Sequence, residues 1–141
     1  MFYNLFMRKI TIPFSIFISL IVFSTSSLSE WKLVTTSDIG DQFYVDKNGI
    51  ERKSDDYHYF WYLVNLKKPI TKFRSTKFYL KVDCDLFKYK PVELILFEDQ
   101  MGKGKSFRTP KYINDREDWK TSNPSSSIHE IMIRVCLNEK I

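Results

Sequence analysis

The residues of this chain with the most specific chemistry are its two cysteines, Cys84 and Cys136. In an oxidising compartment two cysteines favour a disulfide over a metal site, and the start of the chain, described below, predicts export. The ring that they would close spans 52 residues, and its closure predicts about 4 kcal/mol of stabilisation through the unfolded state. The alternative is a pair of unpaired, buried thiols.

The other reactive residues match no catalytic or metal-binding motif. His58 and His129 stand in no nucleophile or zinc motif, and we expect His58 at a strand end and His129 in solvent. Asp83 and Asp85 would share one strand face, but two carboxylates are too few for a cation site. Residues 101–105, MGKGK, lack the spacing of a phosphate-binding loop and predict a tight turn. The sequence predicts a non-enzymatic protein without a metal or cofactor; a catalytic triad assembled only in space is the alternative.

The stretch that organises the chain runs from Thr76 to Phe87. Its side chains alternate with period two, as a half-buried strand requires, because successive side chains leave opposite faces of a sheet. One face carries Thr76, Phe78, Leu80, Val82, Cys84 and Leu86, and the other carries Lys77, Tyr79, Lys81, Asp83, Asp85 and Phe87. Cys84 is therefore predicted to point into the core, and Tyr79 and Phe87 to lie on the outward face.

Five further stretches predict strands by their aromatic and β-branched content. They are residues 31–35, 43–46, 57–66, 92–97 and 106–108. Asn48-Gly49 predicts a tight hairpin after the second of these strands, with Ile50–Arg52 as the returning strand. Residues 67–75 read as a basic connection into the organising strand, and Trp119 as an apolar anchor in a polar, irregular segment.

The last segment predicts a helix. Ser127 and Glu130 have the spacing of a capping box. The residues that follow place one apolar stripe along a helix, formed by Ile128, Ile131, Met132, Val135 and Cys136. Since Cys136 lies on this stripe and Cys84 on the apolar face of its strand, a disulfide would join helix to sheet. A strand from Ile131 to Leu137 is the competing interpretation.

The start of the chain has the pattern of a signal peptide. An apolar stretch at residues 10–23 follows a basic pair and precedes a cleavage site at Ser27-Leu28-Ser29. The apolar stretch is shorter than the roughly 20 residues that a spanning helix needs, although a retained anchor is the alternative. We expect residues 1–29 to be removed and residues 30–141 to form one mature domain, without a membrane span, in the periplasm or secreted. The residue directly after the cleavage site is Glu30 and not a cysteine, so a lipid anchor is not expected.

The charge balance is only mildly basic. The chain carries 22 lysines and arginines and 17 acidic residues, a net charge of +5. Because Arg8 and Lys9 lie in the predicted signal segment, which contains no acid, the mature domain would carry +3. A basic exported protein meets lipid headgroups, polyanionic glycans or acidic host surfaces more often than nucleic acid.

Basic residues gather in two places that could form a binding surface. The first group is Lys67, Lys68, Lys72, Arg74 and Lys77, and the second is Lys103, Lys105, Arg108 and Lys111. If both lie at one edge of the sheet, they form a positive patch for an acidic partner, with Tyr79 and Phe87 as aromatic anchors. The alternative is that these charges keep an edge strand from pairing with another chain. An exposed aromatic face can also support a homodimer.

The order of these landmarks resembles the surface-adhesin protein E-like family of bacteria. The resemblance begins with Trp31, Tyr44-Val45-Asp46, Gly49-Ile50 and Trp61, continues with Asp83-Cys84 and Met101-Gly102-Lys103-Gly104, and ends with Trp119 and Cys136. It implies an α+β fold, with an antiparallel sheet of about six strands and a C-terminal helix joined to one face by a disulfide. It also implies adhesion to host matrix or plasma proteins and an association with haem.

The resemblance and the residues together favour an exported, non-enzymatic binding protein that recognises host or cell-envelope proteins through a sheet face or its basic loops. One departure from the family is the missing anchoring cysteine, which favours a periplasmic or released protein over surface display. The alternative function is haem binding between two sheets, with His58 or a tyrosine as a ligand.

Overall fold

The computed structural model describes residues 29–109 and 118–137. The eight strands of this part form one antiparallel sheet: β1 (Trp31–Thr36), β2 (Gln42–Asp46), β3 (Glu51–Arg52), β4 (His58–Ile70), β5 (Phe73–Asp83), β6 (Lys88–Phe97), β7 (Ser106–Arg108) and β8 (Lys120–Thr121). The main order is β1-β2-β4-β5-β6-β7, with β3 beside β4 and β8 beside β6. One helix, α1 (Ser127–Cys136), completes the described fold. The predicted α+β class and its six principal strands are confirmed.

The core lies between α1 and one face of the sheet, which we call the helix face. Period-two alternation sends Val45, Phe60, Leu80 and Val82 to this face, where each is at most 1% exposed. Ile131, Met132 and Val135 of α1 pack against them. Each fully buried side chain of this size contributes about 1.5–3 kcal/mol, so the helix stripe and the strand alternation together define the domain.

A disulfide between Cys84 and Cys136 joins the end of β5 to the end of α1. Its Cα atoms are 5.5 Å apart, and the predicted pairing and the helical interpretation of the last segment are confirmed. The N-cap is Ser126, one residue before the predicted Ser127. Ser126 has extended backbone angles and its hydroxyl accepts a hydrogen bond from the His129 N–H at 3.3 Å, whereas Ser127 is already helical.

The predicted alternation of the organising strand ends at Asp83. The Asp83 carboxylate accepts hydrogen bonds from the N–H groups of Asp85 and Leu86, at 3.0 and 2.9 Å, and so ends the strand in a turn. Phe87 then has a φ of 53°, which reverses the chain into β6. As a result Leu86 is 66% exposed rather than buried. The prediction of Phe87 as an outward anchor is wrong, because its ring packs on the core and edge-on against His129.

Two predicted connections also differ from the structure. Residues 47–49 form a single 3-10 turn whose Asn48 N–H is bound by the Asp46 carboxylate, and β3 pairs with β4 rather than with β2. The basic connection at residues 67–75 is mostly strand. β4 continues to Ile70 through a bulge that contains Pro69. Proline has no backbone N–H, and a bulge is a position where no hydrogen bond between the strands is lost for that reason. A tight turn at residues 71–72 leads into β5.

The predicted signal segment is residues 1–29, and all of it except Ser29 lies outside the described residues. Lys111 lies outside them as well. Among the residues that the structure describes, no helix is long and apolar enough to cross a membrane.

Candidate functional site

The face of the sheet opposite α1, which we call the open face, is lined by aromatic side chains and lysines. Seven half-buried aromatic residues of this face contact one another or a lysine. They are Trp31, Tyr57, Tyr59, Trp61, Tyr79, Phe97 and Trp119, and the lysines beside them are Lys53, Lys77, Lys81 and Lys90. The alternation that buries Phe60 and Leu80 on the helix face presents their neighbours Tyr59, Trp61 and Tyr79 here.

The aromatic rings of the open face contact one another across strands. Trp61 on β4 stacks on its cross-strand partner Tyr79 on β5, with ring centroids 5.0 Å apart. Tyr59 lies 6.0 Å from the same tyrosine ring, and Tyr57 lies 5.2 Å from the ring of Trp119. Such pairs add about 0.5–1.5 kcal/mol beyond burial. The Lys81 ammonium group, 4.2 Å from the Tyr57 ring and 5.5 Å from the Tyr59 ring, connects the two groups of rings into one row.

Two lysine ammonium groups lie over these rings, and one of them also binds a carboxylate. Lys53 Nζ is 4.1 Å from the centroid of Tyr59, and Lys81 Nζ is 4.2 Å from that of Tyr57. Lys81 also binds Asp55 at 2.9 Å, and the Tyr59 hydroxyl donates to the same carboxylate oxygen at 2.7 Å. The hydrogen bonds from Lys81 and Tyr59 lower the pKa of Asp55 to about 2.

At the other end of the row lies a pocket of about 320 Å³, which we call the Lys77 pocket. Its lining includes Trp31, Asp46, Trp61, Lys77, Phe97 and Arg108. Lys77 Nζ lies between two aromatic rings, 5.1 Å from the centroid of Trp31 and 5.2 Å from that of Phe97. Burial lowers the pKa of Lys77, and the negative charge of Asp46 opposes that shift.

The pocket exists because the sheet curls towards the open face. Trp31 belongs to β1 and Arg108 to β7, the two ends of the main strand order, and both line the same pocket although four strands separate them. The right-handed twist of antiparallel strands and the bulges in β1, β4 and β5–β6 pairing allow this curvature.

A turn at residues 99–104 packs against the sheet next to Lys77. Two buried polar side chains hold it against the sheet: the Asn65 carbonyl accepts from the Met101 N–H at 2.8 Å, and the Ser75 hydroxyl accepts from the Gly102 N–H at 3.0 Å. Gly102 has a φ of 66°, and a Cβ at this position would overlap Cε of Lys77. The glycine therefore leaves room for the lysine stem.

One known protein family matches nearly all of the described chain. The family model described as Surface-adhesin protein E matches residues 31–137, which cover both faces of the sheet and α1. The chain belongs to this family. The resemblance that the order of landmarks predicted is thus confirmed, and membership supports an adhesin-like binding protein. No curated protein matches the sequence.

Solved structures of Haemophilus influenzae protein E have the same fold. One structure is 18% identical with a TM-score of 0.60, over 81% of this chain and 89% of that chain. A second crystal form is 17% identical with a TM-score of 0.62, over 81% and 92%. Protein E from non-typeable Haemophilus influenzae is 17% identical with a TM-score of 0.59, over 81% and 80%. At this identity the likeness shows the fold alone.

The fold explains one landmark of the family resemblance. The run Met101-Gly102-Lys103-Gly104 is the turn that packs behind Lys77. Both glycines have positive φ angles, and a Cβ at Gly104 would overlap the carboxylate of Asp99. The positive φ angles therefore favour glycine at both positions, which agrees with the predicted tight turn.

The two predicted basic groups meet at one end of the sheet. Lys67, Lys68, Lys72 and Arg74 lie on the β4–β5 hairpin, and Lys103 and Lys105 lie in the turn before β7. Lys72 binds Glu98 at 2.6 Å, and the Glu98 N–H donates to the Lys105 carbonyl, which brings the two groups together. Lys77 and Arg108 lie apart from them, in the Lys77 pocket. A binding role for these residues stays a prediction.

The histidines have local structural contacts. His58 Nδ1 is 3.3 Å from Cys84 Sγ of the disulfide. His129 is half-buried rather than solvent-exposed, because its ring contacts Phe87 and its Nδ1 lies 2.8 Å from the hydroxyl of Ser122. Within residues 29–109 and 118–137, no group of three or more histidine, cysteine or acidic side chains is placed to hold a metal ion.

The haem alternative assumed two facing sheets. The described residues form a single sheet with α1 on one side, so that arrangement is not found in this part of the chain. His58, its suggested ligand, lies beside the disulfide and not in the aromatic row.

Sequence reasoning placed Tyr79 on the open face but missed most of its neighbours. Trp119 was expected as an apolar anchor, and its ring contacts Tyr57 at a tilt and lies 5.5 Å from the ammonium group of Lys90. The alternation of residues 57–66 contained the signal for Tyr59 and Trp61, because both are out of phase with the buried Phe60. For Trp31 there was no comparable signal, since its position depends on the curl of the sheet.

Proposed function

We propose that this chain is an exported, non-enzymatic binding protein that recognises host or cell-envelope proteins through the open face. The observation that carries this proposal is the aromatic row of that face, where Trp61, Tyr79 and their neighbours lie half-buried beside lysines. Membership in the surface-adhesin protein E family supports the same class of function.

The composition of the open face suits protein recognition. Tryptophan and tyrosine dominate interface energetics because they bury a large area at little cost in side-chain entropy. The contacts of Lys53 and Lys81 with the rings hold these side chains in place before a partner binds. The basic end of the sheet, which includes Lys67 and Lys68, would attract an acidic partner and raise the rate of association.

The location that follows from this proposal is outside the cytoplasm. We infer that residues 1–29 are removed and that residues 30–141 act in the periplasm or after secretion, and the signal-like pattern of the sequence supports this boundary. A homodimer through the open face would compete with a partner for the same surface.

The test is a pull-down with residues 30–141 against purified host matrix proteins and, separately, cell-envelope extract. One variant changes Trp61 and Tyr79 to Ser, and a second changes Lys67, Lys68, Lys72 and Arg74 to Ser. A control variant changes the same number of basic residues to Ser at positions outside the open face and the basic end: Lys32, Lys47, Arg52 and Arg134.

We expect the aromatic variant to lose the partner, the hairpin variant to bind more slowly and with weaker salt dependence, and the control to bind normally. Circular dichroism confirms that each variant is folded. A partner retained in full by the folded aromatic variant, or no partner from either source, would overturn the proposal.

A further inference from the structure

Lys77 is a half-buried cation that forms no ion pair within the described residues, although the negative charge of Asp46 in the same pocket acts on it. Within the described residues, its ammonium group makes no ion pair with a carboxylate, and its neighbours are the rings of Trp31 and Phe97. The rings compensate for only part of the lost hydration. Because the ammonium group has lost part of its hydration, an anion bound in the adjacent space would stabilise it.

Asp46 and Arg108 are the other charged residues that line the pocket. Asp46 is 8% exposed, and its Oδ1 accepts hydrogen bonds from the N–H groups of Glu30 and Asn48, both at 3.2 Å. Glu93 is 9% exposed and forms an ion pair with Arg108 at the rim. Lys77 is therefore the one cation of this pocket, among the described side chains, that is left to bind an external anion.

The size and walls of the pocket define the kind of anion. Its volume of about 320 Å³ is near the lower end of the range for small-ligand sites, so it suits one side chain rather than a large cofactor. The aromatic walls suit apolar methylene groups, while Lys77 suits a carboxylate. The turn at Gly102 packs against the lysine stem and limits where the ammonium group can move.

We propose that the Lys77 pocket binds the carboxylate side chain of a glutamate or aspartate presented by the partner protein. Lys77 is the counter-ion, and Trp31 and Phe97 contact the methylene groups of the inserted side chain. This inference rests on the proposed function, because the acidic residue belongs to the partner that the open face recognises.

The experiment titrates isotope-labelled protein with short peptides and follows the tryptophan indole N–H resonances. The probe is an N-acetylated, C-amidated tripeptide Gly-Glu-Gly, and the matched neutral probe is Gly-Gln-Gly; free glucuronate tests an acidic sugar as the source of the carboxylate. The chain has three tryptophans. Trp31 and Trp61 line the pocket and report binding, whereas Trp119 lies at the other end of the row and serves as an internal control.

The variants are Lys77→Met and Lys77→Arg, with Lys32→Met as a matched loss of one lysine outside the open face. We expect saturable shifts at Trp31 with the glutamate peptide and none with the glutamine peptide. Lys77→Met should weaken binding by at least about tenfold, the scale of one lost charge pair, while Lys32→Met should bind as the unchanged protein does. Rescue by Lys77→Arg would separate loss of charge from misfolding.

Equal binding of the two peptides, or normal binding by folded Lys77→Met, would overturn the proposal, as would tighter binding of glucuronate than of the glutamate peptide. The titration needs no partner protein. A pocket that binds the peptide when the pull-down finds no partner would establish a carboxylate site at Lys77 but refute both the proposed function and a partner protein as the source of the carboxylate. A partner found in the pull-down without peptide binding would refute the pocket alone.

Discussion

Gly102 lies so close to Lys77 that a methyl group on the glycine Cα would overlap the lysine Cε atom. The two residues come from different elements, the turn before β7 and the middle of β5. The hydrogen bond from the Gly102 N–H to Ser75 fixes the turn against the strand. The position of the lysine ammonium group in the pocket therefore depends on a backbone 25 residues away in sequence.

Gly102→Ala should weaken binding of the glutamate peptide and also destabilise the fold. A non-glycine residue at a φ of 66° costs about 1–2 kcal/mol, and the added methyl group displaces the lysine. Gly104→Ala is the matched control, because its φ is 76° but its Cβ would meet Asp99 instead. Denaturant unfolding and the peptide titration measure the two effects. Equal loss of peptide affinity in both variants would show that the lysine contact is irrelevant.

Loss of the disulfide should lower stability strongly while the sheet persists. Cys136→Ser opens the ring closed with Cys84, which predicts a loss of about 4 kcal/mol. Urea unfolding followed by circular dichroism, with and without reductant, measures this change. The unchanged protein should unfold at lower urea in reductant and the variant at the same urea in both. Equal midpoints for the unchanged protein would contradict the stabilising role of the bond.

Phe87 should matter for stability and not for binding. Its ring packs on the core and on His129, so Phe87→Ala should cost about 1.5–3 kcal/mol. Phe107→Ala is the control, since that ring is 55% exposed and its loss should change stability by no more than about 0.5 kcal/mol. A Phe87 variant of normal stability that fails to bind a partner would restore its role as an anchor.

The contact of Asp55 with Lys81 and Tyr59 should stabilise the fold in a defined pH window. Since the folded pKa is about 2 and the ordinary value is 3.8, the stabilisation is complete above the ordinary value and disappears as the pH falls towards 2. Melting temperatures measured across this range should fall less steeply for Asp55→Asn than for the unchanged protein. Asp38→Asn, at an exposed site in the β1–β2 turn, is the control. Parallel curves for all three proteins would contradict the prediction.

Binding of the glutamate peptide should disappear at a lower pH than an ordinary lysine would allow. Burial lowers the pKa of Lys77, opposed by the charge of Asp46, and the Arg108–Glu93 ion pair faces the same pocket. The ammonium group is present below its folded pKa, so affinity should be lost as the pH rises, and at a lower pH than the ordinary lysine pKa of 10.5 predicts. Lys77→Arg stays charged throughout and should keep its affinity. A flat profile for the unchanged protein would contradict the role of Lys77.

Local patterns were reliable where one buried face decides them. The alternation of β5 and the stripe of α1 were predicted because both bury apolar residues on one side, and Cys84 and Cys136 fell on those sides. The same reasoning failed where a side chain redirects the backbone. The Asp83 carboxylate ends β5 in a turn, after which Phe87 points inward. The Asp46 carboxylate accepts a hydrogen bond from the N–H of Asn48, and a 3-10 turn forms where a hairpin was expected.

Period-two and helical spacing are properties of neighbouring residues, so local patterns were enough to predict the helix face of the sheet and the helix. The cysteine count predicted the disulfide, and the resemblance in the order of landmarks predicted the family and its class of fold. The open face could not be predicted in this way. Trp31, Lys77 and Phe97 belong to β1, β5 and β6, and the pocket that they share depends on strand register and on the curl of the sheet. Both arise from pairing between distant segments, which no local pattern specifies.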